Sequence, residues 1–351
     1  VTRSEEASRR KRAPRFADIA AEAGVSEATV DRVLNERGSV SAASRERVVA
    51  AAARLGVKRH LPDVRHGIVH VDVLMPVNDT PFYRRFDLAL QRAIANVGRR
   101  VVVHRLRIDG QSEDGYLQAM LAPPYPRAGL IIAAPSTART VEAARALSAA
   151  GVPVITMVSD LPAGLAHRYI GIDHYRAGQT AGYLIGQLAG GCGAVLVVPA
   201  VRSYLAHHER VQGCLDELAA HHPDCRVIVS DDARDDANLC YTMVQRALRE
   251  HAISGIYSTG DGALGIESAL RRADLLGRVA WVGHEIEDVH RRLLAARAMN
   301  LVIDQNPDGQ ARAVLHHLFG IAGETRSPKP DFDGEFELFM PTNVRRGGYL
   351  P

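Results

Sequence analysis

The stretch that decides the organisation of this chain runs Phe16-Ala17-Asp18-Ile19-Ala20-Ala21-Glu22-Ala23-Gly24-Val25-Ser26-Glu27-Ala28-Thr29-Val30-Asp31-Arg32-Val33-Leu34-Asn35. Ile19, Ala20 and Ala23 fall on one helical face, and Val30, Val33 and Leu34 on another, with the spacing of amphipathic helices. Between them, Gly24 suits the left-handed conformation that ends a helix, and the Ser26 hydroxyl suits the cap of the next. Ser41 is placed to cap a third helix that turns Val48, Ala52 and Leu55 inward. Two short helices across a tight glycine turn, backed by a third, make a helix-turn-helix over residues 15–57. Such units lay the second helix, here about 27–35, in the major groove with its first residues at base edges. Arg32 and Asn35 can bond bases or phosphates. Ser26 and Thr29 can reach phosphates beside a helix N-terminus that attracts anions.

Outward from this unit, charge is unevenly placed. The chain of 351 residues carries a net +3, yet up to Arg65 there are fourteen Lys and Arg against nine Asp and Glu. A basic head on a near-neutral body implies an anionic partner for the head alone. Residues 1–14, with Arg9-Arg10-Lys11-Arg12, show no apolar pattern and read as a solvated basic tail or a loose phosphate-gripping arm. Residues 58–67 read as a polar hinge or linker, in which Pro62 discourages helix. No apolar run is long enough to span a membrane, and the N-terminus lacks a signal's apolar region, so a cytoplasmic location is expected. Cys192, Cys214, Cys225 and Cys240 form no CxxC pair or zinc spacing and read as free thiols.

Beyond Ile68 the pattern becomes short apolar strands alternating with amphipathic helices. Strands are expected at 68–75, 101–105, 129–134, 152–158, 194–198, 226–230, 255–258 and 279–283. Helices are expected at 83–97, 137–150, 174–189, 203–220, 235–250, 262–273, 286–296 and 306–320. The alternation implies an α/β body of parallel sheets, and its length implies two lobes. The fold expected for 68–345 is thus two-lobed, behind a small all-α head.

The head resembles that of LacI-family regulators: the strings Ala23-Gly24-Val25-Ser26, Ala28-Thr29-Val30, Arg32-Val33-Leu34-Asn35, Val40-Ser41 and Arg45-Glu46-Arg47-Val48 carry the likeness. The resemblance implies a double-stranded, roughly palindromic DNA operator and a homodimer, with Glu27 and Ala28 at base-reading positions, Arg32 next, and Arg15, Ser26, Thr29 and Asn35 nearby. There are departures. Asp31 stands where the family usually has Ser, to orient Arg32 or point away, and Arg15 replaces a Thr. His60-Leu61-Pro62-Asp63-Val64-Arg65-His66 lacks the Ala and final Leu of the family's hinge helix, which wedges the minor groove.

The body resembles the periplasmic-binding-protein-like (type I) effector domain of that family, in particular ribose-type sugar binders. The likeness rests on Thr80-Pro81-Phe82-Tyr83, Gly151-Val152-Pro153-Val154-Ile155-Thr156, Ile172-Asp173, Glu209-Arg210, Trp281-Val282-Gly283-His284-Glu285 and Ile303-Asp304-Gln305-Asn306-Pro307. It implies lobe crossings near 173, 304 and 330, and ligand at the carboxyl ends of strands. Phe82 and Tyr83 offer flat faces for a sugar, although Phe82 also suits the core. Thr80, Ser159, Asp160, His208, Arg210, Asp261, Glu285 and Gln305 offer polar contacts. Asp173 suits a helix cap, Asp261 a cap or a ligand contact, and Arg210 a ligand or an ion-pair partner. His208 stands where ribose-type binders place an Arg, with His207 as the alternative. Val158-Ser159 and Gly260 replace other family contacts, so the expected effector is a different sugar, a polyol or a sugar acid rather than ribose.

No P-loop or HExxH occurs. Gly190-Gly191-Cys192-Gly193 precedes a strand, the wrong order for a dinucleotide fingerprint. No nucleophile–base set and no metal or cofactor site is read from the sequence, and an enzyme is not expected. Ligand closing the two lobes and changing operator affinity is the expected mechanism.

Overall fold

In the computed structural model Gly24 sits at φ 62° and closes α1 (Phe16–Ala23), its N–H bonding Ala20. The Ser26 side chain accepts from the Thr29 N–H and opens α2 (Glu27–Leu34). Ser41 does the same for α3 (Ala42–Arg54) through the Ser44 N–H. The structure describes residues 14–35, 37, 40–57, 68–95, 101–110, 112–190, 193–322, 332–345 and 347. The basic tail, the 58–67 linker and the third crossing near 330 lie outside them. The chain divides into two units, Val1–Ile68 and Val69–Pro351.

The head buries Ile19, Ala20, Ala23, Val30, Val33, Leu34, Val48, Ala51 and Ala52. Leu55 was expected inward but is 36% exposed. It lies past the last turn of α3, and Ala51, one turn earlier, fills that place. Alanines carry much of this core, so it removes little apolar area from water.

The body runs β1 (Val69–Pro76), α4 (Pro81–Ile94), β2 (Val101–Ile108), α5 (Glu113–Leu121), β3 (Arg127–Ile132), α6 (Ala138–Ala149), β4 (Val154–Met157) and β5 (Arg168–Ile170) in its first lobe. The second lobe runs α7 (His174–Leu188), β6 (Ala194–Val198), α8 (Leu205–His221), β7 (Arg226–Val229), α9 (Ala237–Glu250), β8 (Ile253–Ser258), α10 (Ala263–Arg272), β9 (Ala280–His284), α11 (Asp288–Ala295) and β10 (Leu301–Asp304). The chain then crosses back through α12 (Pro307–Ala322), and β11 (Glu337–Phe339) is the last element among the described residues.

The sheets are ordered β2-β1-β3-β4-β5 and β11-β10-β9-β8-β6-β7. All pairs are parallel except β10 with β11. This is the two-lobed parallel α/β architecture that the alternation implied. Strand interiors such as β6 and β9 are apolar on both faces because helices cover both sides. Each order reverses beside its lobe's first strand, which opens a crevice at the carboxyl ends.

Small residues let α7 and α8 cross closely. A Cβ at Gly178 would lie 2.2 Å from the Arg210 carbonyl oxygen, and one at Gly213 would lie 2.1 Å from that of Tyr175. This approach fixes the height of Arg210 against the crevice. Asp173 caps α7 by accepting from the Arg176 N–H at 2.9 Å, as its placement suggested. Among the described residues no helix is long and apolar enough to cross a membrane.

Candidate functional site

Between the lobes lies a cavity, open to solvent at its mouth, that holds about 530 Å³ of empty space with that opening included. The first lobe contributes Thr80, Pro81, Phe82 and Tyr83 from the start of α4, and Val158 after β4. The second contributes His207 and Arg210 from α8, Asp235 before α9, and Asp261 after β8. His284 ends β9, Glu285, Glu287 and His290 follow it, and Gln305 stands on the crossing. Strand ends deliver nearly all of them, as expected for an open parallel sheet.

A connected polar core holds the floor. Arg210 is 2% exposed. It donates to His174 Nδ1 at 3.1 Å, to the Thr259 carbonyl at 2.7 Å and to Glu285 Oε1 at 3.2 Å. His174 Nδ1 therefore accepts, and its Nε2 donates to the Val158 carbonyl at 2.6 Å. That tautomer is neutral, consistent with burial and the Arg210 charge holding His174 well below the ordinary imidazole range. Glu285 Oε1 also accepts from Gln305 Nε2 at 2.7 Å, and Gln305 is fixed in turn by Gln310, which donates to its carbonyl at 2.8 Å. Glu285 Oε2 is buried with no hydrogen-bond partner. A carboxylate, a guanidinium and an amide are thus set in place with acceptor capacity left for a ligand.

The electrostatics follow from burial. Burial pushes Glu285 up to about 7 against the pull of Arg210, and Glu287 up to about 8 with help from Asp261. Asp261 is raised, chiefly by burial. His207 and His290 are pushed down to about 4, in both cases chiefly by burial.

Three non-glycine residues of this wall hold left-handed backbone: Val158 at φ 64°, Asp235 at φ 59° and Glu285 at φ 63°. For the β-branched Val158 this is a true outlier. Strain of this kind persists where surrounding structure enforces it, and it gathers at ligand sites. The Ile303 carbonyl accepts from the Glu285 N–H at 2.9 Å and helps to enforce the conformation there.

Of the ten residues expected at the ligand site, Thr80, Phe82, Tyr83, Arg210, Asp261, Glu285 and Gln305 line this cavity. Three do not. His208 is exposed on the far side of α8; the helical period that points Arg210 inward points His207, three residues before it, inward as well. The Ser159 hydroxyl accepts from the Ala206 N–H at 3.2 Å and anchors the start of α8. Asp160 is bound by Thr156 at 2.6 Å, His167 at 2.7 Å and the Leu161 N–H at 2.8 Å. Asp261 lines the cavity, and it does not cap α10: the N-cap there is Gly262, with no side-chain cap, and the Asp261 Oδ1 accepts from the N–H of that neighbour at 2.6 Å. Asp235, Glu287 and His290 were not foreseen. They follow strands and loops whose ends the sequence located, but nothing in their spacing marks which way they turn.

On the head, Arg15, Ser26, Glu27, Ala28 and Arg32 are exposed, and Thr29 and Asn35 are half-buried. Asp31 does not orient Arg32: it accepts from the Asn35 amide at 2.5 Å, which commits part of Asn35 within the helix. Thr29 and Ser26 share a hydroxyl contact at 2.9 Å. The N-terminal turn of α2 is therefore open to solvent, with its cap already made.

Residues 71–325 match the periplasmic binding protein domain family, and residues 16–59 match the bacterial regulatory proteins of the lacI family. The chain belongs to the periplasmic binding protein domain family, with a lacI-family head. Among curated relatives, it is 38% identical over 100 residues to the HTH-type transcriptional regulator reg1 of Streptomyces lividans, covering 28% of this chain and 29% of that one. To the HTH-type transcriptional regulator MalR of Streptomyces coelicolor it is 36% identical over 100 residues, again 28% of this chain and 29% of the relative. The chain thus aligns with less than a third of the length of these relatives. Among solved structures, GanP, a glucose-galactose binding protein from Geobacillus stearothermophilus, aligns with a TM-score of 0.68 at 18% identity over 80% of this chain and 99% of that one. A solute binding protein of an ABC transporter from Burkholderia graminis, in complex with D-arabinose, aligns with a TM-score of 0.69 at 19% identity over 81% and 99%. At these identities the structural likeness shows the fold.

Proposed function

We propose that this lacI-family chain is a sequence-specific DNA-binding transcription regulator, a repressor, whose operator affinity is set by a small sugar-type ligand in the interlobe cavity. The observation that carries the reading is the pairing, in one chain, of two features. One is a helix-turn-helix whose second helix keeps an exposed first turn. The other is a strand-end cavity in which Glu285, Arg210 and Gln305 are bonded to one another while Glu285 Oε2 stays open. The names of the curated relatives and the sugar ligands of the structural neighbours support it.

The head reads base edges from the first turn of α2 through Glu27, Ala28 and Arg32, while the helix N-terminus faces a phosphate. In the body, Phe82 and Tyr83 cover a sugar face, and Glu285 and Gln305 bond its hydroxyls. The ligand draws the lobes together about the crossings near 173 and 304, and a homodimer carries two heads to a palindromic operator. A coupling of about 1–3 kcal/mol is enough for regulation. Enzymatic turnover forms no part of this reading.

The test has two arms. Duplexes enriched by selection on the full-length protein are titrated with wild type and Arg32→Ala; the variant is expected to bind about 5- to 150-fold more weakly, the effect of losing one base or phosphate contact of about 1–3 kcal/mol. Unchanged binding removes α2 from the groove. In the second arm a panel of sugars and polyols is screened by thermal shift. Gln305→Ala is expected to abolish the shift of any hit, and a shift that survives places the ligand elsewhere.

A further inference from the structure

The wall of the cavity is rich in carboxyl groups and poor in cations. Four carboxylates line it, Asp235, Asp261, Glu285 and Glu287, against one guanidinium, that of Arg210. The Arg210 donors are directed at His174, Thr259 and Glu285. The lining imidazoles, His207, His284 and His290, bring no positive charge near neutral pH, because burial holds each below its ordinary range. Arg84 and Arg234 are exposed at the mouth of the cleft, and Arg84 acts on Asp261 and Glu287 through space.

Much of the polar capacity here is unused. Glu285 Oε2 is buried without a partner, and so is Nδ1 of the fully buried His284. Glu287 is 8% exposed, and its carboxyl makes no hydrogen bond among the described residues; the Nδ1 of His290 stands 3.4 Å from it. Ionising several buried carboxyls beside a single buried guanidinium is costly, so this wall is complementary to a ligand that supplies a further positive charge.

We propose that the effector carries an ammonium group, as an amino sugar or an amino polyol does, seated between Glu287 and Asp261 with its hydroxyls on Glu285 and Gln305; this rests on the sugar-type effector reading above. An ammonium brings three donors and a positive charge. A neutral hydroxyl brings one donor and no charge to favour ionisation of these carboxyls. A sugar acid adds like charge, which disfavours ionisation of its neighbours. With Glu285 pushed up to about 7 and Glu287 up to about 8 by burial, Glu285 holds a proton for part of the time and Glu287 for most of it near pH 7, and a cation expels it.

The test is isothermal titration of the full-length protein near pH 7, in two buffers of different ionisation heat. The ligands are D-glucosamine, D-galactosamine and glucamine, each beside its neutral parent (D-glucose, D-galactose, D-sorbitol), and D-glucuronate and D-galacturonate. At least one amine is expected to bind about tenfold or more tightly than its parent, with heats that report proton release. Glu287→Gln and Asp261→Asn are each expected to narrow that ratio to below about threefold, with thermal melts showing that both variants fold. A parent or a uronate that binds as tightly as its amine overturns the ammonium, and so does a ratio unchanged in both variants. Binding by none of the compounds removes the sugar-type effector itself, and the ammonium with it.

Discussion

Consider Gly178→Ala. The added Cβ would stand 2.2 Å from the Arg210 carbonyl oxygen, 2.9 Å from its carbonyl carbon and 3.0 Å from its Cα. These are backbone atoms in mid-helix and cannot swing aside. To regain an ordinary contact at 3.4 Å, α7 and α8 must part by about 1.2 Å at this point. Overpacking of this kind costs about 1–3 kcal/mol. The shift also carries Arg210 away from partners now at 2.7 to 3.2 Å, and a hydrogen bond to a charged group is worth about 1.5–3 kcal/mol. A total near 3 kcal/mol lowers the melting temperature of a domain of this size by roughly 6–12 °C. The assay is thermal unfolding of the full chain by circular dichroism, beside Gly320→Ala. A Cβ at Gly320 meets nothing within 4 Å, and that helix position gains up to about 1 kcal/mol of propensity. A Gly178→Ala melt within about 2 °C of wild type would refute the claim that these glycines set the helix crossing.

Other perturbations follow from the same geometry. Glu287 holds its proton in the fold up to about pH 8, far above its ordinary value of 4.5. Between those limits the native chain binds a proton that the unfolded chain has released, so stability falls as pH rises, by at most about 1.4 kcal/mol per pH unit. Glu287→Gln removes this slope, and its melting temperature is expected to gain on wild type from pH 5 to 8; parallel curves count against a buried carboxyl. Glu267 accepts from Arg271 on its own helix at 2.7 Å and joins α10 to α11 through a two-point contact with Arg292 at 2.8 and 2.6 Å. Its hydrogen bonds to Arg292 lead in lowering it to about 2, so its contribution is present above pH 4.5 and is lost as pH falls toward 2. Glu267→Gln is expected to cost about 1–2 kcal/mol in urea denaturation at pH 7, the arginines being partly solvated, and a gap that stays constant to pH 2.5 speaks against the pair. Ser26→Ala removes the cap of α2 and is expected to cost the head about 1 kcal/mol, read as faster amide exchange at Thr29 and Val30; unaltered exchange there makes the cap incidental.

The head was legible because each of its helices announces itself locally: Gly24, Ser26 and Ser41 do in space what their chemistry allows, within three residues of their own position. All eight strands and eight helices expected in the body are present, with ends moved by a few residues. The elements not foreseen are short or mixed in character. Arg168-Tyr169-Ile170 is a three-residue edge strand with one buried side chain, and Glu337-Leu338-Phe339 is another short edge strand. Gly115 weakens the helical signal of α5, although Tyr116 and Met120 are buried there. Leu301 to Asp304 is four residues long, too brief to show a period. Within the site, position along the chain was readable and direction was not. The step from His208 to His207 is one residue, and only the helix phase set by Arg210 decides it. Asp160 has the right chemistry and sits after a strand, but Thr156, His167 and the Leu161 N–H claim it first.

The left-handed backbone at Glu285 reaches beyond binding. A side chain there must tolerate φ 63°, a region that asparagine, aspartate and glycine enter at low cost and that β-branched residues avoid. Descendants of this chain that acquire a new effector preference through position 285 are therefore drawn from a short list before any ligand is met. The main chain acts as the first filter on how such a sensor diversifies, and shape or charge selects only among the residues that pass it.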